Sequence, residues 1–226
     1  MDIQTLKIEF NSLLNNTLEN KNQELEVKKM EQDKDIVYTE YQKKEKKENN
    51  YDLDLNIPKI NINNEIIKEY NNEIANTFIK KAEDVMKIQN LNSIYTVQYS
   101  ATIENNILSL VIYSNLKDGN NAQRVIVLTY NFDLKENKEI KIEDIINRKG
   151  LIKKDIESKV KENIKIEQNR ANDLKSLGYS IYERNYEDEK YKLKNTKQFF
   201  IKDGRIYLIY AYGNENITSE MDIIVI

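Results

Sequence analysis

The chain lacks histidine, cysteine and tryptophan, and it has one proline and five glycines among its 226 residues. Without histidine there is no imidazole to act as an acid or base near neutral pH, and no Ser-His-Asp triad can form. Without cysteine there is no thiolate nucleophile and no zinc site of the Cys/His type. These absences exclude the designs of most familiar hydrolases and transferases, and they leave the redox compartment open.

The chain also lacks an excess of either charge and any long apolar run. The 35 basic residues nearly balance the 38 acidic ones, so we expect no nucleic-acid partner. The longest apolar runs, such as residues 125–128, have the length of a strand, whereas a membrane span needs roughly 20 residues. The first residues do not form a signal peptide. We therefore expect a soluble domain that would reach a membrane only through a segment outside this chain.

The first 35 residues combine a helical pattern with a polar stretch. The spacing of the apolar residues predicts an amphipathic helix from residue 3 to about residue 20, which packs on the domain or binds a membrane or a partner. Residues 20–35 are polar and are interpreted as a linker. The expected division is residues 1–35 as N-terminal helix and linker, and residues 36–226 as one domain with halves 36–120 and 121–226.

From Ile36 onward the pattern predicts strands and two long helices. Apolar and polar residues alternate in most of the expected strands, which are 36–42, 51–57, 95–103, 108–112, 125–134, 199–201, 206–212 and 221–226. One helical stripe begins at about Asn63 or Asn64, an acceptable N-cap, and runs to Lys87, and another runs from Ile152 to Ile164. Hairpin turns, such as Glu104-Asn105-Asn106 and Asp203-Gly204, join neighbouring strands, so the sequence predicts an α+β fold with antiparallel sheets, two long helices packed on them and the N-terminal helix.

Three local expectations accompany this fold. Pro58, the one proline, is expected to end the second strand. Residues 125–134 are apolar on both faces at their centre, which places that strand in the middle of the sheet. Residues 170–197 are polar and rich in tyrosine and receive no assignment.

Asp52, Asp54 and Asn56 imitate the first half of a calcium-binding loop. The imitation stops there, because Ile57 stands where the loop needs glycine and Asn63 where it needs glutamate. The three polar residues are better interpreted as the solvated face of a strand. The five glycines form no phosphate-binding motif, so no metal and no cofactor is expected.

Paired carboxylates can hydrolyse glycosides without histidine, and 38 acids always offer pairs. A general acid needs an apolar setting that raises its pKa, whereas Glu143-Asp144 and Glu187-Asp188-Glu189 lie in polar surroundings. We therefore expect no catalytic residues. A hydrolase that uses carboxylates alone remains an alternative.

The tyrosines are the remaining signal. Several of the 15, such as Tyr70, Tyr99 and Tyr130, fall on predicted core faces, where packing is the simplest role. Others cluster in the unassigned segment, where rigid amphipathic rings are suited to contact with a partner. The expected partner-binding residues are Tyr179, Tyr182, Tyr186, Glu187, Glu189, Tyr212 and Asn214.

Several motifs have the order found in one known family. They are Ile57-Pro58-Lys59-Ile60, residues 129–134 followed by 138–146, and a hairpin over residues 199–207 followed by 210–214. Together they resemble the extracytoplasmic domain of lysozyme-sensing anti-sigma factors, which also occurs as the non-catalytic N-terminal part of certain peptidoglycan deacetylases. The resemblance covers about residues 36–226. Many members carry a Gly-Gly-Ala-His-Gly-like turn before the central strand, whereas residues 118–123 here have no histidine.

The resemblance implies a non-catalytic, outward-facing binding domain of a Gram-positive cell envelope. The implied ligand is a lysozyme-like protein or a cell-wall component, and the acids from Glu187 to Glu189 are expected to steer a cationic ligand. The deacetylase active-site motifs are absent, so the resemblance implies no enzyme. An accessory cell-surface domain without a signalling role is the alternative.

Overall fold

The computed structural model describes residues 3–22, 26–213 and 217–226. Its α+β fold confirms the predicted class. No described helix is both long enough and apolar enough to cross a bilayer. In chain order the elements are α1 (Ile3–Leu13), β1 (Leu18–Asn20), β2 (Val37–Lys47), β3 (Tyr51–Ile60), α2 (Glu65–Ile74), a π-helical turn (Ala75–Ile79), α3 (Lys80–Lys87), β4 (Ser93–Glu104), β5 (Ile107–Lys117), β6 (Arg124–Asp133), β7 (Lys138–Glu139), α4 (Ile142–Arg148), α5 (Lys153–Ser176), 3-10 turns at Glu189–Tyr191 and Leu193–Asn195, β8 (Gln198–Lys202), β9 (Arg205–Tyr212) and β10 (Glu220–Val225).

The larger sheet has the strand order β2-β3-β4-β5-β6-β7, and β1 also pairs with β4. Most neighbours are antiparallel, as predicted, but β3 and β1 both run parallel to β4. They share one edge of β4, because β3 pairs with its first half and β1 with residues 101–103. Parallel strands cannot be joined by a hairpin, so the helices α2 and α3 form the crossover from β3 to β4.

The crossover helix confirms the predicted stripe and its cap. The Asn64 side chain accepts hydrogen bonds from the backbone N–H groups of Ile66 and Ile67, which satisfies the first turn of α2. From Tyr70 to Ala82 the residues of the apolar stripe follow at steps of four, and each of these steps overshoots an α-helical turn by about 40°. The wide π turn absorbs this excess and keeps one face on the sheet. Along that face lie Ile67, Ile74, Phe78, Ala82 and Val85, all buried, and the half-buried Tyr70.

The N-terminal region departs from the prediction. α1 ends at Leu13, because Asn16 adopts a left-handed conformation with φ of 57° and its N–H donates to the Tyr99 carbonyl. Residues 18–20 then form β1 and not a further helical turn. The described part of the expected linker is also packed, since the buried side chain of Asn61 accepts hydrogen bonds from the N–H groups of Met30 and Glu31.

Two strand predictions are also corrected. β3 continues through Pro58 to Ile60, because β3 has left β4 after Leu55 and a bulge in β2 lies opposite, so no ladder hydrogen bond depends on the missing N–H. β6 lies beside the two-residue β7 near the edge of the sheet, and β4 and β5 occupy the middle. Accordingly Ile126, in the apolar run of β6, is 41% exposed.

The smaller sheet has the order β10-β9-β8 and carries a helix on each face. The predicted turn between β8 and β9 is confirmed, and Asp203 and Gly204 both have positive φ, as a type I′ hairpin requires. On one face Leu6 and Phe10 of α1, and Leu14 just beyond its end, pack against Phe200, Tyr207, Ile209 and Ile223. On the other face α5 packs through Val160 and Ile164 against Ile201, Leu208, Tyr210 and Ile224.

Side chains of the larger sheet satisfy the outer edge of β8. Ser109 accepts from the Ile201 N–H at 2.9 Å, and Thr102 donates to the Ile201 carbonyl at 2.5 Å. Asn131 donates to the Phe199 carbonyl at 2.9 Å. Buried backbone groups must find partners, so this ladder explains why small polar residues lie inside the apolar strands β4, β5 and β6.

Candidate binding surface

Residues 177–192, here called the tyrosine segment, fold back along α5. Gly178, with φ of 89°, turns the chain at the end of the helix, and the Tyr179 N–H donates to the Leu174 carbonyl at 3.1 Å. The Tyr186 N–H then donates to the Gln168 side chain, and Lys161 pairs with Glu187. The segment therefore runs toward the N-terminus of α5, held largely by side chains, which explains why no periodic pattern marked it.

Arg184 anchors the tyrosine segment to the smaller sheet. Its guanidinium is buried and donates two hydrogen bonds of 3.0 Å to the two carboxylate oxygens of Asp222 on β10. It also donates to Glu220 and, at 2.7 Å, to the Tyr182 carbonyl. Lys7 of α1 lies 3.4 Å from the Asp222 carboxylate. Both side chains are fully buried, and burial of two charges costs free energy. The two parallel hydrogen bonds offset this cost, so the pair anchors the segment through its bidentate geometry.

Tyr212 lies beneath the segment and not on the surface. Its ring stacks on Tyr182 at 5.1 Å and on the Arg184 guanidinium at 4.9 Å, and its hydroxyl is 2.9 Å from that of Tyr191. Burial and the Asp222 carboxylate raise the pKa of the Tyr212 phenol, so it stays a neutral hydrogen-bonding group. Tyr212 is buried and Tyr182 is half-buried, so the two rings pack within the domain. The sequence prediction assigned both to contact with a partner.

The tip of the tyrosine segment consists of Leu177 and Tyr179, on either side of Gly178. Leu177 is 73% exposed and Tyr179 is 63% exposed, and the residues around them are also exposed. Two large side chains exposed on the same turn form an apolar surface on which a partner could pack. Tyr179 is exposed, and its role in partner binding stays a prediction.

A cleft of about 400 Å³ separates the rest of the segment from α5. The predicted residues Tyr186 and Glu187, which are neighbours in the sequence, both line it. Tyr179 lies apart from them, at the tip. The cleft is lined by Lys154, Glu157, Ser158 and Lys161 of α5 and by Tyr186, Glu187, Asp188, Tyr191 and Lys192.

The acids that were expected to steer a cationic ligand are paired with lysines. Glu187 lies 3.4 Å from Lys161. Glu189 accepts a hydrogen bond from Lys192, which lowers the pKa of the Glu189 carboxyl, and it also lies 4.0 Å from Lys194. These pairs leave little free negative charge on the segment. Asn214, the last expected contact residue, lies outside the described residues.

Sequence reasoning missed the residues that shape this site, namely Arg184, Asp222 and the lysines of α5. One signal was present, because only five of the 35 basic residues are arginine. Arginine is preferred where a carboxylate must be held by two parallel hydrogen bonds. An arginine inside a tyrosine-rich, otherwise lysine-bearing segment therefore marks a buried ion pair.

The carboxylates of the described residues show no arrangement typical of a metal centre, because no group of three or more lies close enough to hold an ion. Asp52 and Asp54, from the calcium-like motif, face Lys46 and Lys44 on the neighbouring strand. Five carboxyl groups among the described residues have a pKa lowered by hydrogen bonds from neighbours. They are Glu31, Glu45, Asp133, Glu189 and Asp203, and their donors are Tyr38, Lys43, the backbone near Glu136 together with Arg148, Lys192 and Lys21.

Several solved structures resemble this chain, and two of them are named as members of one family. A DUF3298 family protein from Pseudomonas aeruginosa PAO1 is 9% identical over 78% of this chain and 82% of its own, with a TM-score of 0.41. A member of the DUF3298 family from Bacteroides fragilis NCTC 9343 is 12% identical over 70% of this chain and 61% of its own, with a TM-score of 0.31. No family model and no curated protein matches the sequence. These structural neighbours belong to a domain family of unknown function, and the resemblance to lysozyme-sensing anti-sigma factors stays a prediction.

Proposed function

We propose that this chain is a non-catalytic binding domain that holds a protein ligand through the tip of the tyrosine segment. The exposure of Leu177 and Tyr179, on a turn that is fixed from below, carries the proposal. Apolar and aromatic side chains at the centre of a contact contribute most of the binding free energy. Because Arg184 and the stack beneath it already order the segment, binding loses little conformational entropy.

The resemblance stated from the sequence motifs supplies the ligand class and the location. It favours an extracytoplasmic sensor domain of the anti-sigma type whose ligand is a lysozyme-like protein. The pairing of Glu187 and Glu189 with lysines adds a constraint, since steering by these acids is weak. Affinity for lysozyme should therefore depend mainly on the apolar tip and only weakly on salt.

Calorimetry of the purified domain with lysozyme tests the proposal. The double variant Leu177→Ser, Tyr179→Ser should weaken binding by about tenfold or more, because it removes the centre of the contact. Ile94→Ser is the matched control, since Ile94 is 50% exposed on β4 and lies outside the segment. Absence of both heat and co-elution for the unmodified domain would remove lysozyme as ligand. Equal weakening by the control would remove the tip as the site.

The non-catalytic part of the proposal is supported by the carboxyl groups that have shifted pKa values. Those at Glu31, Glu45, Asp133, Glu189 and Asp203 are shifted downward, whereas a general acid at neutral pH needs an upward shift. Incubation with peptidoglycan fragments should leave the fragments intact. Turnover that scales with the concentration of the domain would contradict this and favour the carboxylate hydrolase.

A further inference from the structure

The cleft between α5 and the tyrosine segment has balanced and fixed charges. Three lysines and three acids line it. Lys161 of α5 pairs with Glu187 of the segment at 3.4 Å, and Asp188 pairs with Lys190 at 3.5 Å. A charged ligand would meet as many like charges as opposite ones. An uncharged ligand with several hydroxyl groups could donate to the carboxylates and accept from the ammonium groups.

The half-buried ring of Tyr186 adds an amphipathic surface to these polar groups, with the Lys161 ammonium group 4.9 Å from the ring centroid. Tyr186 lines the cleft, and its backbone N–H is fixed by the Gln168 side chain at 3.1 Å. Tyr191, also in the lining, is buried and is held by its hydroxyl contact with Tyr212. Rigid amphipathic rings offer contact area at a low entropy cost, and they suit a ligand that has both C–H faces and hydroxyl edges.

Two further groups on α5 are free to bind. Lys154 and Ser158, one helical turn apart, line the cleft, and neither side chain forms a hydrogen bond or ion pair with another described residue. Glu157 beside them is held in place, because it accepts from the Leu193 N–H at 3.2 Å. The cleft therefore combines fixed acceptors with free donors, as a site that reads hydroxyl groups requires.

We propose that this cleft binds a neutral saccharide. Charged groups, a serine hydroxyl and two tyrosines line it, its lysines equal its acids in number, and contacts within the protein hold Glu157, Lys161 and Glu187 in place. The inference does not depend on the protein ligand proposed above, because neither Leu177 nor Tyr179 lines the cleft. The two proposed sites can therefore be tested independently.

A titration followed by ¹⁵N-resolved NMR spectra tests the inference with four trisaccharides, each to about 10 mM. N-acetylglucosamine and glucose trimers are neutral, the glucosamine trimer is cationic and the galacturonic acid trimer is anionic. At least one neutral trimer should shift the amide signals of α5 near Lys154 to Lys161 and of residues 186–192. The two neutral probes distinguish an N-acetylated sugar from a plain glucan, and binding of either supports the inference.

Variants locate the site. Tyr186→Ala should weaken binding of the neutral trimer by about tenfold, and Lys154→Met, which lies on the exposed surface of α5, by about threefold. Tyr179→Ala is the control and should bind the trimer like the unmodified domain. If Tyr186→Ala does not fold, Lys154→Met retains the test. Lys154→Met should leave lysozyme binding unchanged, which separates this inference from the proposed function.

Three results would overturn the inference. The first is the absence of any shift with both neutral trimers. The second is shifts confined to other parts of the fold. The third is tighter binding of the anionic or the cationic trimer than of either neutral one, since the cleft would then select charge.

Discussion

Arginine is used sparingly in this chain and at specific places. Four of the five arginines pair with a carboxylate, and three of those carboxylates, on Asp133, Glu167 and Asp222, are buried. A lysine would offer a point charge, whereas arginine offers a planar fork that can satisfy both carboxylate oxygens. The choice of arginine therefore follows the burial of its partner.

Replacement of Arg184 by methionine tests the anchor. Arg184→Met leaves the buried Asp222 carboxylate with Lys7 as its remaining cation, so the free energy of unfolding should fall by about 3 kcal/mol. Urea denaturation followed by circular dichroism measures it. Arg205→Met removes an exposed arginine whose partner Glu9 is only half-buried, so it should hardly move the midpoint. Equal effects of the two variants would show that Arg184 is not an anchor.

Asp133 predicts a dependence of stability on pH. Burial by itself would raise its pKa, but the N–H groups of Glu136 and Lys135 and the Arg148 guanidinium stabilise the carboxylate, and the pKa is lowered. A carboxyl whose pKa is lowered by folding stabilises the protein at pH values above its pKa in the unfolded chain, about 3.9. This stability is lost as the pH falls through the pKa of the folded protein. The advantage of the unmodified protein over Asp133→Asn should therefore be largest at pH 7.

Urea midpoints of the two proteins at pH 7 and at about pH 3 decide this. The gap between them should narrow at the acidic pH, because the unfolded chain then binds a proton at Asp133 more readily than the native carboxylate does. A gap that stays constant or widens on acidification would contradict the role assigned to Asp133.

At the scale of elements, the sequence predicted those helices, strands and turns that are set by a local pattern of residues. The hairpin turns at Asn105-Asn106 and Asp203-Gly204 use residues that accept positive φ, and strand alternation and the Asn64 cap were visible in the same way. β1 was missed because it has three residues and exists through its pairing with β4, which is distant in the chain. Central or edge placement, as for β6, depends on neighbours that no local pattern reveals.

The π turn yields a prediction that runs against the usual effect of a deletion. Removal of Asn76, which is exposed within the turn, would leave an α-helix whose apolar residues recur at alternating steps of three and four. The deletion should change the free energy of unfolding by no more than about 1 kcal/mol. Deletion of Glu83 in α3 should cost more than about 2 kcal/mol, since it rotates the buried Val85 off the sheet.

Thermal and urea denaturation of the two deletion variants provide the comparison. If removal of Asn76 is as damaging as removal of Glu83, then the π turn is required by something other than the register of the apolar face. Loss of the cooperative transition in the Asn76 deletion alone would also contradict the explanation.

At the scale of the whole molecule, the first helix and the last strands of the chain pack together. α1 packs on a sheet built from the last residues of the chain, and the ladder of side chains joins that sheet to the larger one. The tyrosine segment closes over Asp222, which lies 38 residues beyond Arg184. The fold class could be predicted because it follows from local patterns. Contacts at such separations leave no local pattern, so the site was predicted only as a group of tyrosines and acids.

The role of α1 in the core can be tested on one helix. Phe10 is fully buried against the smaller sheet, so Phe10→Ala should lower the free energy of unfolding by about 3–5 kcal/mol. Ile8→Ala, on the exposed face of the same helix, should leave it nearly unchanged. Similar small effects of both variants would mean that α1 is an appendage to the domain.

Hydrogen exchange of the domain with and without saturating lysozyme tests most directly that the molecule acts through the tip of the tyrosine segment. The amide groups of residues 177–187 should exchange more slowly in the complex, while those of the exposed strand β2 should not change. Unchanged exchange over residues 177–187, with protection elsewhere or nowhere, would contradict the account.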